Sequence, residues 1–211
     1  MRESALEQRW DDLMATCGFA AHRATLEDLL AAWDEPQRHY HTQAHLAHCL
    51  RLAQDYAALA QKPAEISLAL WFHDAVYKPM KTDNERRSAD WAARFLREAG
   101  AGDATINTVD SMIMATCHNA PAPDADHALL VDIDLSILGA DEARYDAYEQ
   151  EVRREYRWVP GSLFRRKRAA LLAQFLARPR LYLTAELRDR FESQARANLA
   201  RAIQSLGGTH A

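Results

Sequence analysis

Ile66-Ser67-Leu68-Ala69-Leu70-Trp71-Phe72-His73-Asp74-Ala75-Val76-Tyr77 is an apolar run interrupted by one pair of polar neighbours near its end. Ile66, Leu70, His73 and Tyr77 recur at the spacing of a single helix face, so the segment predicts a buried helix over 64–77 with His73 on its core-facing stripe. An unpaired polar group in such a place costs about 1–3 kcal/mol, and an unpaired carboxylate costs more. Asp74 therefore requires a cation, a strong set of donors or a metal. A hydrogen-bonded His-Asp pair is the plainest way to meet that requirement.

Segments of similar character extend in both directions. Only seven glycines and seven prolines occur in 211 residues, and they fall between stretches rich in Ala, Leu, Glu, Arg and Gln. The pattern predicts helices over 3–17, 25–34, 42–60, 64–77, 84–99, 104–118, 127–138, 141–157, 162–177 and 184–206. Thr42, Asn84 or Asp83, and Thr184 suit the N-cap, where a side-chain oxygen meets free backbone donors. Gly18, Gly100 and Gly139 suit the left-handed residue that follows a helix. Val131-Asp132-Ile133-Asp134-Leu135 alternates as a strand would, yet the run from Ala128 to Leu138 is otherwise apolar on all sides and reads as a buried helix. The expected fold class is all-α, a single-domain helical bundle over 1–211 with a functional core at about 38–140 and further helices over 141–206.

Composition narrows the partners. Hydrophobic residues make up 48% and charged residues 27%, a globular balance rather than a disordered one. The net charge of -4 argues against a general polyanion-binding surface, so nucleic acid is not an expected partner. No stretch approaches the ~20 apolar residues of a membrane helix. Met1-Arg2-Glu3-Ser4-Ala5 carries acid and no apolar signal-peptide core. Cys17, Cys49 and Cys117 are an odd, sparse set that forms no disulfide framework, and a cytoplasmic protein is expected. Arg165-Arg166-Lys167-Arg168 reads as a solvated helix face, or as a local attraction for an anionic substrate or RNA.

Histidine placement is more specific. Six of the nine histidines (39, 41, 45, 48, 73 and 118) lie between positions 39 and 118. His41 and His45 stand four apart where a helix begins, and His45 shares a face with Cys49 one turn later. Two further carboxylates, Asp132 and Asp134, sit in the apolar run His127–Gly139. In a helix they point to different sides, Asp134 toward the core and Asp132 toward a cap or a supporting role. His45, His73, Asp74 and Asp134 thus offer two imidazoles and two carboxylates from three segments, a mixed set suited to Mn, Fe, Co, Ni, Zn or Mg.

In this order the motifs Arg38-His39-Tyr40-His41-Thr42-Gln43-Ala44-His45, Trp71-Phe72-His73-Asp74, Asp83-Asn84-Glu85-Arg86-Arg87-Ser88-Ala89 and Asp132–Gly139 resemble those of the HD superfamily of metal-dependent phosphohydrolases. The chain looks closest to a bacterial family of short HD phosphohydrolases of comparable length. The tail from Tyr145 through Ala195–Leu199 is similar too. The resemblance implies an all-α bundle holding one or two divalent metals on His45, His73, Asp74 and Asp134. Distant cyclic-nucleotide phosphodiesterases carry a general-acid His where this chain has His41, but Thr42 replaces their Asn and their His-Pro-Gly is missing. His41 is the expected proton donor, and cyclic nucleotides are not the expected substrate.

Further residues extend the implied site. His118 is a candidate ligand for a second metal, or else a histidine stabilised by a helix C-terminus. Glu85 is a candidate base or orienter of metal-bound water, or else a favourable acid in a first helical turn. Arg38 is a candidate for bidentate phosphate binding, or else a partner for a surface acid. Asp132 is a candidate for a second metal or substrate. A zinc site pairing Cys49 and Cys117 with His45 and His118 lacks the usual paired-cysteine loops, and both cysteines read equally as small buried hydrophobes. The expected activity is hydrolysis of a small phosphomonoester or nucleotide with a divalent cofactor. The alternatives are a di-iron oxygenase on the same scaffold, or a non-catalytic metal- or nucleotide-binding module.

Overall fold

The computed structural model describes residues 2–118 and 120–207, with side chains from Ala5 onward. The described residues form α1 (Arg2–Cys17), α2 (Arg23–Trp33), α3 (Gln43–Asp55), α4 (Pro63–Phe72), α5 (Asn84–Glu98), α6 (Asp103–Ala115), α7 (Ala125–Asp134), α8 (Glu142–Glu155), α9 (Gly161–Leu176) and α10 (Ala185–Gly207). Single 3-10 turns cover Ala57–Leu59 and Leu135–Gly139, and no strand occurs among these residues. The fold class is all-α, and the alternating run at Val131–Leu135 is helical. No described helix is long and apolar enough to cross a membrane. The chain divides into two compact units, Met1–Val131 and Asp132–Ala211, and the boundary falls inside α7.

In the first unit α4 is central, packing against α1, α3, α5 and α6. Its sequence explains why: Ile66, Leu68, Ala69, Leu70, Trp71 and Phe72 are all buried, and only the Pro63–Glu65 turn and Ser67 keep contact with water. Trp10 meets Trp71 edge to face at 5.2 Å, and Phe72 stacks on Phe95 at 5.4 Å. The Trp33 indole N–H donates to the Trp71 carbonyl at 3.1 Å, partnering one of the acceptors that a helix C-terminus leaves open.

Here the structure corrects the sequence reading. The predicted helix over 64–77 stops at Phe72, with His73 as its C-cap and Asp74 already in the turn beyond. Pro79 has no N–H to return to Ala75, and a residue before proline is biased away from helix. Lys78 turns its own N–H to Asn84 Oδ1 instead, at 3.1 Å. The predicted helix over 104–118 likewise ends at Ala115, and His118 adopts a left-handed φ of 55°. Thr42 does cap α3, its hydroxyl accepting the Ala44 N–H at 3.3 Å. Asn84, by contrast, spends its amide on Lys78 and Lys81.

In the second unit α10 packs against α9 and the 3-10 turn at Leu135–Gly139. Asn198 Nδ2 donates to the carbonyls of Leu138 and Ala140 at 2.9 and 2.8 Å, and the Tyr182 hydroxyl donates to Leu135 at 3.0 Å. Asp132 is fully buried and accepts the N–H groups of Leu183 (3.0 Å) and Thr184 (2.6 Å), which fixes the start of α10. Burial nevertheless pushes its carboxyl above the usual range, with the two backbone donors opposing. Within the cationic run Arg165, Arg166 and Lys167 are exposed, whereas Arg168 turns inward to Glu149 at 2.7 Å and the Tyr148 hydroxyl at 2.9 Å.

Gly139 does not take the left-handed conformation expected of it; Gly18 and Gly100 do. Its requirement is space, because a Cβ there would lie 2.6 Å from Phe191 Cβ and 2.7 Å from the Phe191 carbonyl oxygen. Backbone cannot swing aside as a side chain can. Gly139→Ala is therefore expected to destabilise the protein by about 1–3 kcal/mol in urea unfolding, as overpacking does elsewhere.

Candidate metal centre

His45 lies in the first turn of α3, which Thr42 starts, and its ring is buried. His73, also buried, closes α4 and holds its place through a backbone N–H bond to Ala69 at 2.8 Å. The two rings meet with their Nε2 atoms 3.3 Å apart. Asp74 follows directly, and its Oδ2 lies 3.3 Å from His73 Nε2. One donor atom from each of His45, His73 and Asp74 falls within 4.8 Å of the others, so these three side chains are a group that could hold a metal ion.

The chemistry of the donors fits a cation. His73 Nδ1 lies 2.9 Å from the Leu70 carbonyl, an oxygen that only accepts, so Nδ1 carries the proton and Nε2 presents its lone pair. Two ligand atoms held about 2.0–2.1 Å from one ion at a tetrahedral angle stand about 3.3 Å apart. Both the His45–His73 and the His73–Asp74 separations have that value. Trp33 and Tyr40 wall the site, with ring centroids 5.4 Å (Trp33–His73) and 4.8 Å (Tyr40–His45) apart. Cys49 Sγ lies 3.7 Å from both ring nitrogens of His45.

His41 stands at the rim. Its ring stacks on Tyr77 at 4.1 Å and meets Tyr40 edge to face at 4.9 Å. Its Nε2 is 3.9 Å from Asp74 Oδ2, beyond hydrogen-bond length. The spacing His41-x-x-x-His45 thus brings both imidazoles near the same carboxylate.

Arg38 differs most from its expected role. It is buried, with the guanidinium 5.4 Å from the ring centres of both Trp33 and Tyr77. Its Nη1 donates to the carbonyls of Asp74 (2.7 Å) and His41 (3.1 Å), its Nη2 to Ala75 (3.0 Å) and its Nε to Glu35 (3.2 Å). Four of five N–H groups are spent on the protein, so the fork expected for a phosphate is a clamp on the backbone. The Asp74 and Ala75 carbonyls were opened when α4 stopped short, and the sequence carries no signal that a residue 36 and 37 positions away would fill them.

The remaining candidates come from other segments of the chain. Glu85 is in the first turn of α5, half-buried, and its charge adds to the burial that raises the Cys117 thiol. Neither Glu85 nor His118 joins His45, His73 and Asp74. Asp134 closes α7 and belongs to the second unit. Asp132, in that unit too, is committed to Leu183 and Thr184, the capping role rather than a metal or substrate one.

Arg38→Ala would remove the guanidinium donor from three backbone carbonyls and is expected to cost roughly 2–5 kcal/mol in chemical denaturation. Arg38→Lys should recover only a fraction, since one ammonium cannot span Nε and both Nη positions. Compared with known proteins, the chain matches no family model, no curated protein and no solved structure.

Proposed function

We propose that this chain is a metal-dependent phosphohydrolase acting on a small phosphomonoester or nucleotide, with His45, His73 and Asp74 holding a divalent cation from the Mn, Fe, Co, Ni, Zn or Mg group. The observation that supports the reading is the convergence of two imidazole Nε2 atoms and a carboxylate oxygen at 3.3 Å spacings in an aromatic-walled pocket. The order of motifs shared with the HD superfamily supplies the reaction class. A divalent ion held there would lower the pKa of bound water far below that of bulk water, toward ~7, and offset charge on a phosphoryl oxygen.

The protein's own groups have distinct tasks in this reading. His73 keeps its Nδ1 proton on Leu70, so its lone pair stays directed at the cation. His41, braced by Tyr77 and facing Asp74, holds a proton at Nε2 for the departing alkoxide. Arg38 positions both by gripping the His41 and Asp74 carbonyls. Trp33 and Tyr40 exclude bulk water, which strengthens every charge interaction inside.

Purified protein is expected to contain divalent metal and to hydrolyse at least one member of a phosphomonoester and nucleotide panel. His73→Ala and Asp74→Ala should lose metal and turnover together. The resemblance also assigns Asp134 as a ligand, and the metal content of Asp134→Ala tests that assignment by itself. His41→Gln should keep the metal while kcat falls about 10²–10⁴-fold. A chelator-stripped preparation with undiminished turnover, or a protein that consumes oxygen with bound iron and releases no phosphate, overturns the reading.

A further inference from the structure

A second group of chemically capable side chains lies in the first unit and includes none of the residues above. Ser111 Oγ is 2.8 Å from His127 Nε2, and His127 Nδ1 is 2.7 Å from Asp124 Oδ1. The same carboxylate oxygen accepts the backbone N–H of His127 at 2.9 Å, which ties Asp124 to the first turn of α7. These bonds, the backbone one foremost, hold the Asp124 carboxyl below the usual carboxylate range. An ionised Asp124 accepts a hydrogen bond from Nδ1–H, so Nε2 faces the serine as an acceptor. His127 is buried, whereas Ser111 is exposed on α6.

We propose that Ser111 is a nucleophile, with His127 as its base and Asp124 as the group that orients the imidazole, and that it accepts an acyl group from an activated carboxylic ester. The linear order hydroxyl, imidazole, carboxylate with both links under 3 Å meets the geometric requirement for serine activation. In the step, Ser111 Oγ forms a bond to the ester carbonyl carbon as its proton passes to His127 Nε2. The bond from that carbon to the leaving oxygen breaks, and His127 returns the proton to the leaving alkoxide. The products are acyl-serine and an alcohol, with no oxidant or further reactant consumed.

The surroundings set the substrate class. Ser111 sits inside α6, where backbone N–H groups serve the helix and build no cradle for an oxyanion. Lys62 Nζ donates to Thr108 Oγ1 at 3.3 Å, one turn before Ser111 on the same face, and brings a cation to the neighbourhood. The hydroxyl hydrogen has two acceptors, the Thr108 carbonyl at 2.9 Å and His127 at 2.8 Å. With activation present and oxyanion support sparse, esters with good leaving groups are the ones that react.

Wild-type protein incubated with p-nitrophenyl acetate, and separately with a fluorophosphonate, is expected to carry one adduct at Ser111 by peptide-mapped mass spectrometry. Locating the adduct separates this chemistry from any hydrolysis at His45, His73 and Asp74. Ser111→Ala should carry none there, and His127→Gln, its helical circular dichroism unchanged, should label about a hundredfold more slowly. Should His127→Gln fail to fold, Asp124→Asn keeps an oxygen for α7 and serves the same comparison. Wild type without an adduct at Ser111, or a folded variant of His127 or Asp124 labelling at the wild-type rate, overturns the proposal.

Discussion

A single buried guanidinium organises the candidate metal centre. Arg38 lies between the faces of Trp33 and Tyr77 and reaches three backbone carbonyls on two stretches of chain. A helix that ends inside a protein leaves carbonyls without donors, and burying them bare would cost more than most single contacts return. Arg38 supplies those donors at the one place where α4 must end so that Asp74 can leave the helix. The delocalised charge is weakly hydrated and tolerates aromatic walls, which suits a buried site better than an ammonium would.

The helical character was legible throughout, because the apolar periodicity of segments such as 64–72 and the placing of breakers are local properties. What escaped were features set by distant partners. His73 was read on a helical stripe, yet it is a C-cap, since Pro79 and Asn84 redirect the chain six or more residues later. Gly139 looked like a left-handed terminator, but its lack of a side chain answers to Phe191, more than fifty residues away. Of the candidate site, the His45, His73 and Asp74 grouping was visible in residue type and order. The roles of Arg38 and Asp132 were not, because each is defined by backbone groups that sequence pattern does not mark.

Histidine is put to contrasting uses in the first unit. His73 directs its Nδ1–H to a carbonyl within its own helical turn, and its other nitrogen faces His45 and Asp74. His127 directs the equivalent N–H to a carboxylate, and its other nitrogen faces a hydroxyl. In both rings one hydrogen bond decides what the opposite nitrogen can do.

The Asp132 anchor bears on how the chain is made. Its acceptors are met by Leu183 and Thr184, 51 and 52 positions downstream. On a ribosome that carboxylate has no native partners until those residues have cleared the exit tunnel, so for that interval it stays hydrated and its helix unfinished. Closing so long a loop is a late event in assembly, and a nascent chain stalled before Leu183 holds that carboxylate without its two backbone donors.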